Sequence, residues 1–171
     1  HYRSHSFPTR RSSDLLNTAR IIANTIYQSK LKQKTFDIYD TFSGLPLSDF
    51  QPELAHLEGI YSCNLDKFEE KMKPYGFVRA VPGLVPESFP ENDYQVYDFV
   101  HIDLDLYEGT LGALSHFFPR MKSMGIIQLD DYNSIPWEGV NVAVDEYLSG
   151  QDQELFFFQS IPLGGAYILK L

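Results

Sequence analysis

The stretch Tyr97–Thr110, YDFVHIDLDLYEGT, decides the fold of this chain, because its apolar run ends abruptly in carboxylates. A second run, Gly125–Tyr132 (GIIQLDDY), ends in the same way. Short runs of β-branched and aromatic residues are typical of strands buried on both faces, as in parallel sheets. Between them, apolar residues recur at helical spacing: Leu111, Leu114, Phe117, Phe118 and Met121. The pattern predicts a βαβ unit over this part of the chain.

Four carboxylates are expected to meet at one edge of the sheet. A right-handed crossover places the carboxyl ends of both parallel strands at the same edge, where open α/β sheets bind ligands. Asp103 and Asp105 follow the first strand, and Asp130 and Asp131 follow the second. Crowded carboxylates repel each other unless a cation lies between them, and Mg²⁺ prefers oxygen ligands. The sequence therefore predicts a magnesium site, and the alternative is that these residues are ordinary strand-end turn formers.

Several motifs, in this order, closely resemble the macrocin O-methyltransferase family. They are Tyr39–Pro46 (YDTFSGLP), Val81–Pro90 (VPGLVPESFP), Phe99–Leu114 (FVHIDLDLYEGTLGAL), Phe118–Met121 (FPRM), Gly125–Tyr132 and Ala143–Leu148 (AVDEYL). The resemblance extends from about Phe36 to the C-terminus. A set of motifs in the right order is far more specific than any one of them.

Members of this family are class I, S-adenosylmethionine-dependent and Mg²⁺-dependent sugar O-methyltransferases. The resemblance therefore implies an α/β fold with a Rossmann-like class I methyltransferase sheet, mostly parallel and closed by a C-terminal antiparallel hairpin. It implies transfer of a methyl group from S-adenosylmethionine to a hydroxyl of a small sugar-type acceptor. On this basis Asp103, Asp130 and Asp131 are the expected Mg²⁺ ligands.

The same resemblance assigns the other expected site residues. It places the cofactor against Asp40, Thr41 and Gly83, with Asp40 on the ribose and Gly83 near the adenine. It places the acceptor against Tyr107, Tyr132 and Trp137. Asp103 is the expected catalytic base; the alternative is a nearby group such as His101, although a histidine within an apolar strand is more often part of the core.

For two of these assignments, the residues alone also indicate a role, and in each case a second role is also compatible with the sequence. Asp40 follows an expected strand, Thr35–Tyr39, and a carboxylate there either binds ribose hydroxyls or caps the following turn. Trp137 lies in an expected loop, Tyr132–Gly139, where it either forms a wall for the substrate or covers the core.

The N-terminal residues are expected to be foreign to the fold. Residues 5–15, HSFPTRRSSDL, match the in-frame translation of a DNA sequencing adapter. We therefore interpret residues 1–15 as an artefactual leader and residues 16–171 as a partial methyltransferase domain. The alternative is a basic, serine-rich targeting arm. Class I methyltransferases carry a glycine-rich turn after their first strand, and because the sequence has no such turn, the sheet is expected to lack that strand.

The remaining elements are predicted from periodicity and capping signals. The predicted helices are Leu16–Lys30, Asn64–Lys73 with Asn64 as N-cap, and Val140–Leu148; the predicted strands are Phe77–Val81, Leu155–Ile161 and Ala166–Leu171.

Composition excludes several classes of protein. The 171 residues are 43% hydrophobic and carry a formal net charge of −9, which argues against disorder and against a general nucleic-acid binder. No apolar run approaches the length that spans a membrane. The single cysteine, Cys63, cannot form an internal disulfide, which fits a cytoplasmic protein. Self-association into a homo-oligomer is left open.

Other functions share parts of the pattern. Asp103-Leu104-Asp105 also resembles the Asp-x-Asp metal motif of nucleotide-sugar glycosyltransferases, and more faintly the nucleophile motif of haloacid-dehalogenase phosphotransferases. The strand Gly125–Asp131 resembles a Walker B strand, but no Gly-rich Lys-Ser/Thr loop accompanies it. The non-enzymatic alternative is a degenerate α/β domain that acts as a binding module.

Overall fold

The computed structural model describes residues 13–29, 34–162 and 164–171. Most of the expected leader, residues 1–12, lies outside the described residues, as does Lys30. The chain divides into two compact units, which are described separately. The first comprises His1–Pro46 and Leu57–Gly83, and the second comprises Leu47–His56 and Leu84–Leu171.

The first unit contains helices α1 (Ser13–Gln28) and α2 (Leu65–Met72) and strands β1 (Phe36–Asp40) and β2 (Val78–Pro82). The two strands are parallel, and their register runs from Phe36 opposite Val78 to Asp40 opposite Pro82. Asn64 caps α2 as predicted, since its side chain accepts a hydrogen bond from the Lys67 N–H at 2.9 Å.

The core of this unit is apolar and includes the cysteine. Its buried members are Ala19, Ile38, Phe42, Cys63, Phe68 and Met72. Phe42 and Phe68 pack edge to face with ring centroids 5.3 Å apart. Burial, and to a lesser degree the charge of Asp40, raises the pKa of the Cys63 thiol. Cys63 therefore stays protonated and packs as a small apolar residue, which agrees with a structural role.

Gly44 closes the turn after β1, and we expect Gly44→Ala to destabilise the first unit by about 1–3 kcal/mol. Its φ of +97° is strained for an L side chain, and a Cβ there would overlap the carbonyl groups of Gly59 and Ile60. The measurement is hydrogen exchange of the peptides that cover β1, which should exchange faster in the variant. Gly76→Ala is the matched control, because a Cβ at Gly76 meets nothing within 4 Å. Equal exchange in both variants would contradict the prediction.

The second unit contains strands β3 (Tyr97–Ile102), β4 (Met121–Leu129), β5 (Phe156–Ser160) and β6 (Ala166–Lys170), with helices α3 (Tyr107–Phe117) and α4 (Glu138–Ser149). The four strands are ordered β3-β4-β6-β5. β3 and β4 are parallel, whereas β6 is antiparallel to both β4 and β5. The predicted βαβ unit, the α/β fold class and the C-terminal antiparallel hairpin are confirmed.

The helix between the two acidic motifs is shorter than the spacing of the apolar residues predicts. Met121 was assigned to the helical face, but α3 ends at Phe117, a short 3₁₀ turn covers Phe118–Arg120, and Met121 begins β4. Pro119 has no N–H to continue the helical ladder, and its ring restricts the preceding residue. Met121 is nevertheless buried, because it points into the core from the strand. An apolar residue at helical spacing does not distinguish these two routes to burial.

A buried charged cluster, defined by Asp93, Tyr97, His116 and Arg120, joins the start of β3 to the end of α3. The Asp93 carboxylate accepts a hydrogen bond from the Tyr97 hydroxyl at 2.6 Å and lies 2.8 Å from His116 Nε2. Arg120 donates to the main-chain carbonyls of Asp93 at 3.1 Å and His116 at 2.6 Å. The side chain of Asp93 is 1% exposed. We call this group the Asp93 cluster.

Among the described helices, none is both long enough and apolar enough to cross a membrane.

Candidate functional site

The carboxyl ends of β3 and β4 lie side by side in the second unit. Ile102 pairs with Leu129 in the last position of the parallel register, and the Asp130 N–H donates to the Ile102 carbonyl at 3.0 Å. The acidic segments that follow β3 and β4 therefore begin at the same level of the sheet. This is the convergence that the sequence predicted for the edge of the sheet.

Three carboxylates form a group that could hold a metal ion: Asp103, Asp105 and Asp131. One oxygen from each lies within 4.8 Å of the others. Asp105 and Asp131 are 7% and 2% exposed, whereas the side chain of Asp103 is 26% exposed. We call these three residues the carboxylate cluster. Two members are sheltered and one faces outward, which leaves a side from which a ligand could approach.

The donor set suits a hard divalent cation. In an octahedral Mg²⁺ site, ligand oxygens stand about 3 Å apart in adjacent positions and about 4 Å apart in opposite positions. The carboxylate oxygens here all lie within 4.8 Å of one another, so side-chain rotation would bring them to those separations. Buried carboxylates at such close range are stabilised when a cation offsets their mutual repulsion. The cluster therefore fits an oxygen-liganded metal.

The membership of this cluster differs from the expected ligand set in one residue. Asp103 and Asp131 are present, as expected, while Asp105 takes part and Asp130 does not. Asp105 reaches the cluster from a left-handed backbone conformation with φ +62°, directly before the N-cap of α3. The sequence predicts Asp105 at this edge of the sheet, but the family resemblance does not include it among the expected Mg²⁺ ligands. Asp130 remains a predicted ligand.

His101 lies next to the cluster on β3. Its Nε2 is 3.9 Å from Asp103 Oδ2, and its side chain is 16% exposed. Its Nδ1 is buried and has no hydrogen-bond partner among the described residues. The histidine is therefore mostly buried, as a core histidine would be, yet its polar atoms are not fully satisfied there.

The residues expected at the cofactor lie together in the first unit. The Gly83 N–H donates to the Asp40 carbonyl at 2.9 Å, which joins the ends of β1 and β2. Asp40 Oδ1 accepts from the Phe42 N–H at 2.6 Å, and Thr41 Oγ1 donates to the Gly44 carbonyl at 2.7 Å. Asp40 thus caps the turn, which was one of the two alternatives. A ribose role remains compatible, because a carboxylate has several acceptor positions.

The tyrosines expected at the acceptor are both held by acidic residues of α4. The Tyr107 hydroxyl donates to Glu146 Oε2 at 2.7 Å, and the Tyr132 hydroxyl donates to Asp145 Oδ1 at 2.9 Å. Burial, followed by the hydrogen bond and charge of Asp145, raises the pKa of Tyr132 to about 12. The hydrogen bond to Glu146 is the main cause of the raised pKa of Tyr107. Both phenols therefore stay protonated at neutral pH.

Trp137 is largely enclosed. It stands immediately before α4 and is 5% exposed. This burial agrees with the alternative in which the indole covers the core, and contact with a substrate remains a prediction.

Sequence reasoning missed the partners of the tyrosines. Asp145 and Glu146 are both exposed, but each also accepts a hydrogen bond from a tyrosine in a distant part of the chain. Their spacing on α4 carries no signal for this. Only the packing of α3 against α4 brings Tyr107 to Glu146.

Solved structures similar to this chain are methyltransferases. The O-methyltransferase NovP superimposes with a TM-score of 0.76 at 20% identity over 88% of this chain and 65% of NovP. An O-methyltransferase from Bacillus cereus in complex with SAH has a TM-score of 0.51 at 12% identity over 99% of this chain and 84% of that protein. With the parallel βαβ unit and its C-terminal hairpin, these similarities define a methyltransferase-type α/β fold.

The chain belongs to the macrocin O-methyltransferase (TylF) family, which matches residues 18–155. Among curated relatives, the 8-demethyl-8-(2,3-dimethoxy-alpha-L-rhamnosyl)-tetracenomycin-C 4′-O-methyltransferase of Streptomyces olivaceus is 27% identical over 56% of this chain and 41% of its own length. The demethyldecarbamoylnovobiocin O-methyltransferase of Streptomyces niveus is 24% identical over 68% of this chain and 48% of its own length. The chain thus spans about half the length of these relatives. The family resemblance in the sequence is confirmed.

Proposed function

We propose that the protein containing this chain is an enzyme that transfers a methyl group from S-adenosylmethionine to a hydroxyl of a sugar or sugar-bearing small molecule, assisted by Mg²⁺. The observation that carries the proposal is the carboxylate cluster at the end of β3 and β4, in a chain of the macrocin O-methyltransferase family. Both curated relatives named above are O-methyltransferases, and the name of the first describes a rhamnosyl group. The reaction is proposed to take place in the cytoplasm.

Asp103, Asp105 and Asp131 would hold the metal, with Asp130 as a further predicted ligand. When bound, the ion supplies positive charge that stabilises negative charge developing on the acceptor oxygen. Asp103, the most exposed member of the cluster, receives the hydroxyl proton in this proposal. Proton transfer to a positioned carboxylate is worth about 10²–10⁴-fold in rate.

The cofactor would be held where the chain leaves β1 and β2, whose ends are joined by the hydrogen bond from the Gly83 N–H to the Asp40 carbonyl. Asp40 accepts hydrogen bonds from the ribose hydroxyls, Thr41 offers its hydroxyl oxygen as a further acceptor, and Gly83 allows close approach of the adenine. When bound, S-adenosylmethionine supplies the sulfonium methyl group. In the transfer of this methyl group to the acceptor, Asp103 would receive the proton that the acceptor hydroxyl loses.

The test combines cofactor binding with methyl transfer. S-adenosylmethionine is titrated calorimetrically with and without Mg²⁺, and transfer of its labelled methyl group to methyl α-L-rhamnopyranoside is followed in the presence of Mg²⁺ or EDTA. Because the chain spans about half of its relatives, the same measurements are made on any longer reading frame recovered from the source DNA. Metal-dependent methylation of the glycoside supports the proposal. Binding of a sugar nucleotide in place of S-adenosylmethionine would overturn it.

The metal ligands can be separated by two matched substitutions. We expect Asp105→Asn to weaken Mn²⁺ binding, used as a probe for Mg²⁺, by at least about tenfold. Asparagine tolerates the left-handed conformation of residue 105, so the loss reflects the charge and not the backbone. Asp130→Asn should weaken binding less, because its carboxylate is not in the cluster. Electron paramagnetic resonance of free Mn²⁺ measures both constants, and a larger effect at Asp130 would restore the ligand set expected from the sequence.

A further inference from the structure

The segment Leu47–His56 is fastened to the first turn of α3 by one carboxylate, that of Glu108. The Ser48 hydroxyl lies 2.9 and 3.0 Å from the two oxygens of Glu108, and the Phe50 N–H donates to Oε1 at 2.9 Å. The Gln51 N–H in turn donates to the Ser48 hydroxyl at 2.9 Å. Both the segment and α3 belong to the second unit.

The hydrogen bonds of this attachment favour the charged form of Glu108. Burial alone would raise the pKa of Glu108, but the hydrogen bonds from the N–H groups of Phe50, Glu108 and Asp49 and from the Ser48 hydroxyl together outweigh burial and lower it. Glu108 is therefore ionised at neutral pH, and charge-assisted hydrogen bonds of this kind are stronger than neutral ones. Ser48 and Gln51 are 8% and 4% exposed. The N–H groups of Phe50 and Gln51 are thus both hydrogen-bonded within this attachment.

Phe50 forms an aromatic pair with Tyr107, the residue that precedes Glu108 in α3. The two rings stack with centroids 4.2 Å apart and an angle of 16° between their planes. Tyr107 is itself held by its hydrogen bond to Glu146. Phe50 nevertheless remains 47% exposed, so a large part of a rigidly held phenyl ring faces solvent.

This aromatic pair lies close to the carboxylate cluster along the chain. Tyr107 follows Asp105 by two residues, so their Cα atoms are separated by at most about 7 Å. That distance is comparable to the width of a single sugar ring. A sugar ring is thus long enough to span the separation between the backbone of the pair and that of the cluster.

We propose that Phe50 and Tyr107 form a wall that packs against the apolar C–H face of a pyranoside acceptor, and that Glu108 is the positioning residue that holds this wall in place. The inference rests on the proposed function and adds to it the residues that hold the sugar ring of the acceptor. A pyranose presents C–H groups on its ring faces and hydroxyls around its rim. The wall contacts the face, which leaves one hydroxyl directed at the carboxylate cluster.

Contact between the wall and the sugar is tested by saturation-transfer NMR on the whole chain with methyl α-L-rhamnopyranoside as the probe. Irradiation of the aromatic protons is expected to saturate the ring C–H protons of the glycoside, and Phe50→Ala should reduce this transfer at least about threefold. Phe157→Ala is the matched control, because Phe157 is a phenylalanine of nearly equal exposure, 48%, on β5. Equal transfer in Phe50→Ala and the control, or none in the unsubstituted chain, would overturn the proposal.

Steady-state kinetics distinguish residues that position the acceptor from residues that take part in the chemical step. Phe50→Ala and Glu108→Ala are each expected to raise KM for the glycoside about tenfold, with kcat and the affinity for S-adenosylmethionine unchanged. Phe50→Trp, which keeps an aromatic face, and Glu108→Gln, which keeps an acceptor oxygen for the Phe50 N–H, should recover most of the loss. A fall in kcat with no change in KM, or no recovery by these conservative variants, would overturn the positioning role.

The failure of this inference is distinct from the failure of the proposed function. If the unsubstituted protein methylates the glycoside and Phe50→Ala does so with unchanged KM, the wall is wrong and the methyltransferase proposal stands. If the unsubstituted protein neither binds S-adenosylmethionine nor methylates the glycoside, the proposed function is wrong, whatever the NMR experiment shows of the wall.

Discussion

Replacing Asp103 by Asn is expected to reduce methyl transfer by about 10²–10⁴-fold while leaving the fold intact. In the proposed mechanism this carboxylate both contributes to the metal site and receives the proton of the acceptor, so one substitution removes two functions. Its side chain is 26% exposed, and asparagine has nearly the same size and shape, so the substitution removes the charge with little change in packing. The expected signature is a fall in kcat with the affinity for S-adenosylmethionine preserved.

The measurement is the initial rate of transfer of labelled methyl, with cofactor affinity determined calorimetrically on the same samples. Asp98→Asn is the matched control, since Asp98 is an aspartate of β3, the strand that Asp103 follows, and its side chain is 52% exposed and pairs with Lys122 at 2.8 Å. Such a surface ion pair contributes only about 0–1 kcal/mol. An Asp103→Asn variant that retained the rate of the Asp98→Asn control would contradict the proposed role.

Replacing Asp93 by Ala is expected to destabilise the second unit by about 3–5 kcal/mol, because it removes the central anion of a buried cluster. Tyr97, His116 and the Gln95 N–H all lose their acceptor. Trp137 is the single tryptophan of the sequence and is buried in this same unit, so urea unfolding followed by its fluorescence reports the change. The matched control is Glu91→Ala, an exposed acidic residue two positions away that should shift the midpoint by little. Equal midpoints for the two variants would show that the Asp93 cluster is not a source of stability.

The same cluster predicts a pH dependence of stability. Burial raises the pKa of Asp93, but the hydrogen bonds from Tyr97, Gln95 and His116, with the charge of His116, outweigh burial and lower it. A carboxyl with a lower pKa in the folded state stabilises the fold above its unfolded pKa. That contribution is lost as the pH falls through the folded pKa. The difference in unfolding free energy between the native chain and Asp93→Ala should therefore shrink as the pH falls below about 4.

Local signals in the sequence were sufficient for much of the fold. Asn64 predicted the start of α2 because an N-cap acts within three residues, and the apolar runs before Asp103 and Asp130 predicted β3 and β4 because a buried parallel strand has a distinctive composition. Met121 was assigned incorrectly for the complementary reason. Met121 is buried because it lies on a strand of the sheet. The spacing of apolar residues predicts that a residue is buried, but not whether it lies on a helix or on a strand.

The candidate site was predictable only as far as chain direction determines it. The meeting of Asp103 with Asp131 follows from two parallel strands and a crossover. The inclusion of Asp105 depends on a single left-handed residue, which reverses the direction of one side chain and has no signature in a sequence rich in aspartate. The attachment of Phe50 to Glu108 joins positions 58 apart and depends entirely on tertiary packing.

The backbone conformation of Asp105 also restricts how this site can change over evolutionary time. At φ +62° most side chains are strained, while aspartate, asparagine and glycine are tolerated. A descendant that abandoned catalysis would therefore drift toward asparagine or glycine at residue 105 well before it accepted a bulky or β-branched residue. Position 103 is under no such conformational restriction and would diversify freely. Inactive members of the family would thus be recognised by varied residues at position 103 together with only aspartate, asparagine or glycine at position 105.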